Sequence, residues 1–238
     1  LSGTIIGGGG LSPVTENSKT GVRLSTADVL NHGDIGSNAV DLSYSSSVST
    51  TKGATGDYST AMGESTTASV YASTAMGSGT NASGYASTAM GGATTASGDF
   101  STVMGQLTNA SGYASTAMGE STTAYGDRST AMGKSTTASD YASLSIGQYN
   151  SVNSTVTTGG SATAFNTANA ALVIGKGTGS SAKSDAFVVY FNGNATLSGD
   201  LTINSDERLK ENIQPLGSTL DKLHQIEGKT YSLKKDEK

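Results

Sequence analysis

Cysteine and tryptophan are absent from this 238-residue chain, and proline occurs only twice. Without cysteine the chain can form no disulfide and no thiolate metal site. Charged residues make up 14% of it and the formal net charge is −5, so there is no basic surface to neutralise nucleic-acid phosphates. The two histidines, His32 and His224, lie far apart in the sequence, and no acidic cluster has the spacing of metal ligands. We therefore expect no nucleic acid, no metal and no other cofactor.

Apolar residues are also scarce, at 34% of the chain against roughly 45–50% in an average globular domain. No apolar run reaches the length of about 20 residues that a membrane-spanning helix needs. We predict no membrane span in this sequence, and we expect that a single chain cannot build a conventional hydrophobic core.

The sequence does contain a strong internal repeat with a period of 14 residues. All six methionines lie in one column of this repeat, and serine, threonine and alanine fill further columns. An aromatic residue alternates between two adjacent columns, and Arg128 takes its place once. A period this short predicts a solenoid and not a globule. The triplets of a small residue, a methionine or isoleucine, and a glycine start at Ala61, Ala75, Ala89, Val103, Ala117, Ala131 and Ser145.

Fourteen residues provide two short strands and two tight turns, too little for a helix pair or a βαβ crossover. We therefore predict an all-β fold, a parallel β-roll of two sheets. Because side chains alternate along a strand, Ser59, Ala61 and Gly63 share one face. Thr60 and Met62 share the other. We expect the small face to let the two sheets approach closely, and the glycine column to lie in tight turns with positive φ or close backbone approach.

The column of large apolar side chains has no partner inside so thin a coil. We hypothesise that it packs against the same column in two further copies and forms the core of a homotrimer. Its members are Met62, Met76, Met90, Met104, Met118, Met132 and Ile146.

The segments after the repeat continue the β pattern. Residues 171–175 lie in register for one further coil, after an irregular stretch. The apolar run 187–191, an Asn-Gly turn and residues 195–197 predict a β-hairpin, to which 201–203 adds a short strand in a neck. From residue 206 to the end there are seven acidic and seven basic residues, and a capped stretch from Ser218 to Gly228 predicts a short α-helix.

The 14-residue repeat resembles the YadA-like head of trimeric autotransporter adhesins, which carries the same Ser-x-Ala-(Ile/Met/Val)-Gly signature. The resemblance spans about residues 53–154. It implies a left-handed trimeric roll that projects from a surface and adheres to a host or prey cell. Similar repeats occur in phage tail fibres, so the resemblance implies an extracellular location on a cell surface or a virion.

Residues 205–213, followed by 220–223 and 228–231, resemble the intramolecular chaperone domain of phage tail-spike endosialidases. The resemblance implies that this domain trimerises the fibre and then cuts itself off at a serine, using a Ser/Lys pair. The matching residues are Ser205 and Lys210, and the cleavage junction is Ser205–Asp206. A lysine desolvated in a folded trimer can lose its proton and act as base for the serine hydroxyl.

These patterns predict four segments: a connector or tip at 1–50, β-roll repeats at 51–154, an irregular coil and β neck at 155–204, and a truncated chaperone start at 205–238. We predict a structural and adhesive fibre segment that contributes to recognition of a host or prey cell envelope. Apart from one self-cleavage it is not expected to be an enzyme. Two alternatives are a pure spacer that carries a separate receptor-binding tip and an ice-binding β-solenoid with threonine columns.

Arg128 and Lys134 break their columns in one neighbourhood with Asp127 and Tyr125. Together these four residues form the best candidate for a contact patch with a cell-surface glycan or another envelope ligand. The aromatic columns themselves are more simply interpreted as packing or turn filling.

Overall fold

The structure, a computed structural model, describes residues 10–201. Every described residue before Leu201 belongs to one compact unit. Two sheets run along this unit, one of 13 strands and one of seven. The predicted all-β parallel roll with a 14-residue coil is therefore confirmed.

The strands of the large sheet are β1 (Leu11–Glu16), β2 (Lys19–Leu24), β3 (Val40–Tyr44), β5 (Thr60–Glu64), β7 (Thr74–Ser78), β9 (Thr88–Gly92), β11 (Thr102–Gln106), β13 (Thr116–Glu120), β15 (Thr130–Lys134), β17 (Leu144–Gln148), β18 (Ala170–Lys176), β19 (Asp185–Tyr190) and β20 (Ala195–Leu197). The small sheet holds β4 (Gly53–Ala54), β6 (Thr67–Ala68), β8 (Asn81–Ala82), β10 (Thr95–Ala96), β12 (Asn109–Ala110), β14 (Thr123–Ala124) and β16 (Thr137–Ala138). A 3₁₀ helix at Val29–Asn31 is the only helix within residues 10–201.

Each coil consists of a five-residue strand, a turn, a two-residue strand and a second turn. Successive long strands pair in parallel with equivalent residues in register, so that Met62 lies beside Met76. Both turns contain a residue with positive φ, for example Ser65 at 52° and Ala72 at 55°. One left-handed residue at each end reverses the chain within a few residues, which explains how two strands and two turns fit into 14 positions.

The space between the two sheets is filled by small side chains. Ser59 and Ala61 from the long strand, and Thr66 and Ala68 from the short-strand side, are fully buried. Met62 lies on the opposite, outer face of the large sheet. The predicted assignment of the two faces is therefore confirmed, and the interior has no room for a larger column.

The repeated glycines were expected in tight turns, and this detail is wrong. They lie inside the long strands, with φ between 94° and 123° in the column from Gly63 to Gly147. A Cβ on Gly91 would overlap the carbonyl oxygen of Gly105 in the next coil. The positive φ and the close backbone approach were predicted correctly, and both exclude any residue with a side chain.

A buried ionic cluster closes the N-terminal end of the interior. Asp41 takes the place of the interior alanine, since it pairs with Ala61 in the ladder. Its carboxylate lies 3.1 Å from Nε of the buried Arg23 and 3.2 Å from Nδ1 of His32. Burial raises the pKa of the Asp41 carboxyl, but hydrogen bonds from His32 and Ser43 outweigh it and hold the pKa below its ordinary value.

Asparagine side chains close the other end of the small sheet. The Asn150 amide accepts from the Thr137 N–H at 2.8 Å and donates to the Thr137 carbonyl at 2.9 Å. Oδ1 of Asn153 accepts from the N–H groups of Ser139 and Asp140. These amides take the place of the next strand and satisfy an edge that would otherwise offer unpaired backbone groups.

The large sheet continues past both ends of the regular repeats. Ile174 pairs with Ile146, which confirms the extra coil in register, and β19 and β20 form the predicted antiparallel hairpin around Gly193. The remainder of the neck strand and the predicted C-terminal helix lie outside the described residues. No helix of residues 10–201 is long and apolar enough to cross a membrane.

The glycine column yields a matched pair of substitutions in one strand. Gly91→Ala is expected to destabilise the roll by about 3 kcal/mol or more, because alanine must adopt a positive φ and overlap the next backbone. Gly92→Ala is the control, since a Cβ there meets nothing within 4 Å. Thermal unfolding followed by circular dichroism compares the two, and equal melting temperatures would contradict the proposed backbone constraint.

Candidate functional site

The first candidate surface is the outer face of the large sheet, which we call the methionine face. Met62 and Met76 are 37% and 38% exposed, and the four later methionines are half-buried. Leu42 pairs with Met62 at one end, and Ile174 pairs with Ile146 at the other. Nine apolar side chains therefore form one column about 38 Å long, given a spacing of about 4.8 Å between strands.

The second surface, the aromatic edge, is the turn that precedes each long strand. Tyr58, Tyr71, Tyr85, Phe100 and Tyr113 form one continuous stack there, with neighbouring ring centroids 5.1–5.5 Å apart. Tyr71 and Tyr85 stack face to face, and the other neighbouring pairs meet at a tilt or edge to face. These contacts explain the aromatic column as side-chain packing between successive coils.

The two aromatic columns of the sequence merge into this single stack because of the backbone. In an Asp-aromatic turn the ring belongs to the left-handed residue itself, as at Phe100 with φ 58°. In the other turns the left-handed residue is an alanine, such as Ala86, and the ring belongs to Tyr85 just before it. The rings therefore lie in one stack, although their residues alternate between two neighbouring columns of the sequence.

Arg128 continues the stack in place of a ring. Its guanidinium carbon lies 5.3 Å from the Tyr113 ring centroid and 5.2 Å from that of Tyr141. Its NH1 also donates a hydrogen bond to the Tyr141 hydroxyl at 3.1 Å. Cation–π contact on both faces lets arginine substitute for an aromatic residue here.

The structure brings together three of the four residues of the predicted contact patch. Tyr125, Asp127 and Arg128 belong to one turn at the aromatic edge, and Tyr125 is 55% exposed. Lys134 ends β15 at the opposite edge, about 16 Å away along the strand, and pairs with Glu120 at 3.3 Å. The four residues thus do not form a single patch.

Part of the irregular segment after the repeats joins the aromatic edge. The carbonyls of Ala162 and Ser161 accept from the N–H groups of Asp127 and Tyr141. Phe165, 61% exposed, meets Phe191 edge to face at 5.2 Å. Sequence reasoning missed this exposed ring, which the irregular segment brings to the same edge of the roll as Tyr125.

Asp140 fixes that segment to the roll. Its buried carboxylate accepts from the N–H and hydroxyl of Thr157 and from the N–H of Ala170, at 2.6–2.7 Å. The signal in the sequence is a break in a second glycine column, where Gly112 and Gly126 are followed by Asp140.

Within residues 10–201 no group of three or more His, Asp or Glu residues could hold a metal ion. A cavity of about 350 Å³ lies beside Lys183, Asp185 and Tyr190. Both Asp185 carboxylate oxygens there accept hydrogen bonds from the backbone N–H groups of Ser151 and Val152. These bonds give the carboxylate a structural role. Ser205, Asp206 and Lys210 lie outside the described residues.

Comparison with known families agrees with this geometry. Residues 54–80, 82–108, 110–136 and 124–150 match the YadA head domain repeat. The regular coils are thus similar to YadA head repeats in sequence as well as in their 14-residue period. Residues 205–238 match the family described as chaperone of endosialidase, so both predicted resemblances are confirmed. No curated protein and no solved structure matches the chain.

Proposed function

We propose that this chain is a segment of a homotrimeric fibre on a cell or virion surface, and that it contributes to recognition of a host or prey cell envelope. The observation that carries the proposal is the methionine face: an apolar column on the outside of a coil whose inside is already full. Both matched families are components of trimeric fibres, which favours three copies over two.

The methionine face requires a partner for energetic reasons. The interior alanines and serines are fully buried, so the methionines cannot turn inward. Covering a half-exposed methionine contributes about 1 kcal/mol, and nine such levels in each chain approach the whole stability of a typical domain. Three chains with these faces toward a common axis would bury the columns against one another.

Recognition is assigned to the surfaces that such a trimer leaves outside. Among them we place Tyr125, which directly follows the small-sheet strand β14 and lies on the side of the turn next to the small sheet, and Phe165, on the segment attached to that turn. Exposed aromatic rings with polar neighbours suit glycans and other amphipathic envelope ligands. In the spacer alternative these rings bind nothing, and a separate tip carries the affinity.

The ice-binding alternative is disfavoured by the threonine columns. The column of Thr66 is buried between the sheets. The column of Thr67 faces outward, but asparagine replaces threonine at Asn81 and Asn109. Only one column of threonine hydroxyls is left on the surface, and asparagine interrupts it. Binding to the ice lattice would require a flat, regular array of such hydroxyls.

We further propose that the C-terminal chaperone domain removes itself by attack of the Ser205 hydroxyl on the backbone carbonyl at the Ser205–Asp206 junction, with Lys210 taking the hydroxyl proton. The C–N bond of that peptide breaks, the amine of Asp206 leaves with a proton, and water hydrolyses the resulting ester. The support is the family match over residues 205–238. Release would leave the intertwined trimer behind a high unfolding barrier, which is kinetic stability.

The trimer is tested by placing charge on the methionine face. Met90→Lys with Met104→Lys is expected to abolish the trimer, because six unpaired ammonium groups would be buried around the axis. Thr95→Lys, on the outer face of the small sheet in the same coil as Met90, is the control. Sedimentation velocity should show trimers for the control alone, and a trimeric double-lysine variant would contradict the proposed core.

Recognition is tested with labelled trimer on a glycan array and on envelope fractions of candidate host cells. Tyr125→Ala with Phe165→Ala is expected to weaken binding by at least about tenfold, as hot-spot aromatics do. The control is Val48→Ala, which trims an apolar side chain 77% exposed elsewhere on the roll. Equal binding by the aromatic double variant and the native trimer would favour the spacer.

Self-cleavage is tested by following the length of the expressed chain over time. Ser205→Ala should abolish chain shortening on a denaturing gel, and Lys210→Ala should slow it strongly because the hydroxyl loses its base. Ser232→Ala, at another serine of the same domain, is the control. Unchanged shortening of Ser205→Ala chains would refute the nucleophile.

A further inference from the structure

One coil of the roll differs from the other regular coils at three positions at once. In the ring stack Phe100 stands where the other coils have tyrosine or arginine, and in its sequence column Val103 stands where they have alanine or serine. Leu107 stands where they have serine, glycine, alanine or tyrosine. All three changes increase apolar character, and all three fall within eight consecutive residues.

The first and last of these residues are exposed at opposite edges of the large sheet. Phe100 belongs to the aromatic edge and is 48% exposed, while Leu107 is 58% exposed in the turn after β11. Both have a positive φ, 58° and 55°, a conformation that costs a non-glycine residue about 1–2 kcal/mol. Gly79 occupies the same turn two coils earlier with no such cost, so the fold of a single chain does not need leucine there.

Three-fold symmetry brings these two edges together. When three large sheets face a common axis, the aromatic edge of each sheet adjoins the opposite edge of its neighbour in a closed, heterologous ring. Because the strands run across the roll, a coil meets the same coil of the next subunit to within about one 4.8 Å step. Phe100 of one subunit therefore comes level with Leu107 of the next.

We propose that Phe100 of each subunit packs on Leu107 of the neighbouring subunit and that this contact fixes the register of the three chains. The proposal rests on the trimer proposed above. The methionine face alone does not fix the register, because sliding one chain by a whole coil would place methionine on methionine again. A contact that occurs in one coil only is therefore needed. Because Phe100 and Leu107 occur together in one coil only, they meet each other in one register of the three chains only. In coiled coils a single distinct residue fixes the register in the same way.

The chain has no cysteine, so introduced cysteines report this contact directly. In a Phe100→Cys, Leu107→Cys variant the two positions of one chain are separated by the five-residue strand β11, about 16 Å long. A disulfide needs Cα atoms within about 7 Å. Any disulfide therefore joins neighbouring chains, and mild oxidation of native trimer should yield a covalent trimer on a non-reducing gel.

Two controls define the register. Each single-cysteine variant should stay uncrosslinked, because equivalent edges of different subunits do not meet. Ser65 occupies the position of Leu107 three coils earlier, about 14 Å along the roll. A Phe100→Cys, Ser65→Cys variant should therefore not crosslink either. A native-sized trimer in which the first pair stays reduced, or in which the displaced pair crosslinks instead, overturns the proposal and leaves the trimer standing.

Sedimentation of the native chain separates the two levels of the argument. A monomer there overturns the trimer together with the contact. A second variant, Leu107→Ser, restores the residue found in three other coils and should lower the temperature at which the trimer dissociates. An unchanged dissociation temperature of Leu107→Ser would count against the contact. The control variant is Leu30→Ser, at a side chain 66% exposed in the 3₁₀ helix, which should leave that temperature unchanged.

Discussion

The close approach of the two sheets is the constraint on which the rest of the structure depends. Successive coils touch through the backbone at the glycine column, where a Cβ on Gly91 would overlap the Gly105 carbonyl. The buried side chains between the sheets of the regular coils are mainly alanine, serine and threonine, with Val103 in one coil. Small side chains lose little rotamer entropy on burial, but they also bury little apolar area. The larger apolar residues are left on the outside, where their stabilising contribution depends on other chains.

A solenoid must also end, and here both ends of the roll use polar groups. At the first end Asp41 replaces an interior alanine, held by Arg23 and His32. Because the pKa of Asp41 is lowered in the folded chain, its contribution to stability is present above its unfolded pKa of about 3.9 and is lost as pH falls through the folded value. At the other end the amides of Asn150 and Asn153 pair with the last short strand.

The period of 14 was sufficient to predict the coil, the parallel register and the face on which Met62 lies, because equivalent residues in successive coils must stack. Features that break the period were not predictable from it. Leu42 joins the methionine face although it precedes Met62 by 20 residues, since an excursion lengthens that coil. The single aromatic stack depends on which residue of each turn is left-handed, and the glycine column lies in strands because backbone proximity, and not chain reversal, requires it.

Because its coils are nearly identical, the roll could pair with other copies in the wrong register. Residues that depart from the repeat can prevent this. Nearly identical coils allow slipped arrangements with nearly equal burial of the methionine face, so the correct register is separated from its neighbours by a small free-energy difference. In the proposed trimer, local departures such as Phe100 and Leu107 would widen that difference within the roll. Residues 205–238 match the chaperone of endosialidase family. In the proposed trimer, such a segment would help the chains to find the correct register, because three chains joined at a fixed point have one starting register from which to form the roll. Once the coils have paired, slipping would require many ladders to open together, and the joining segment is no longer needed.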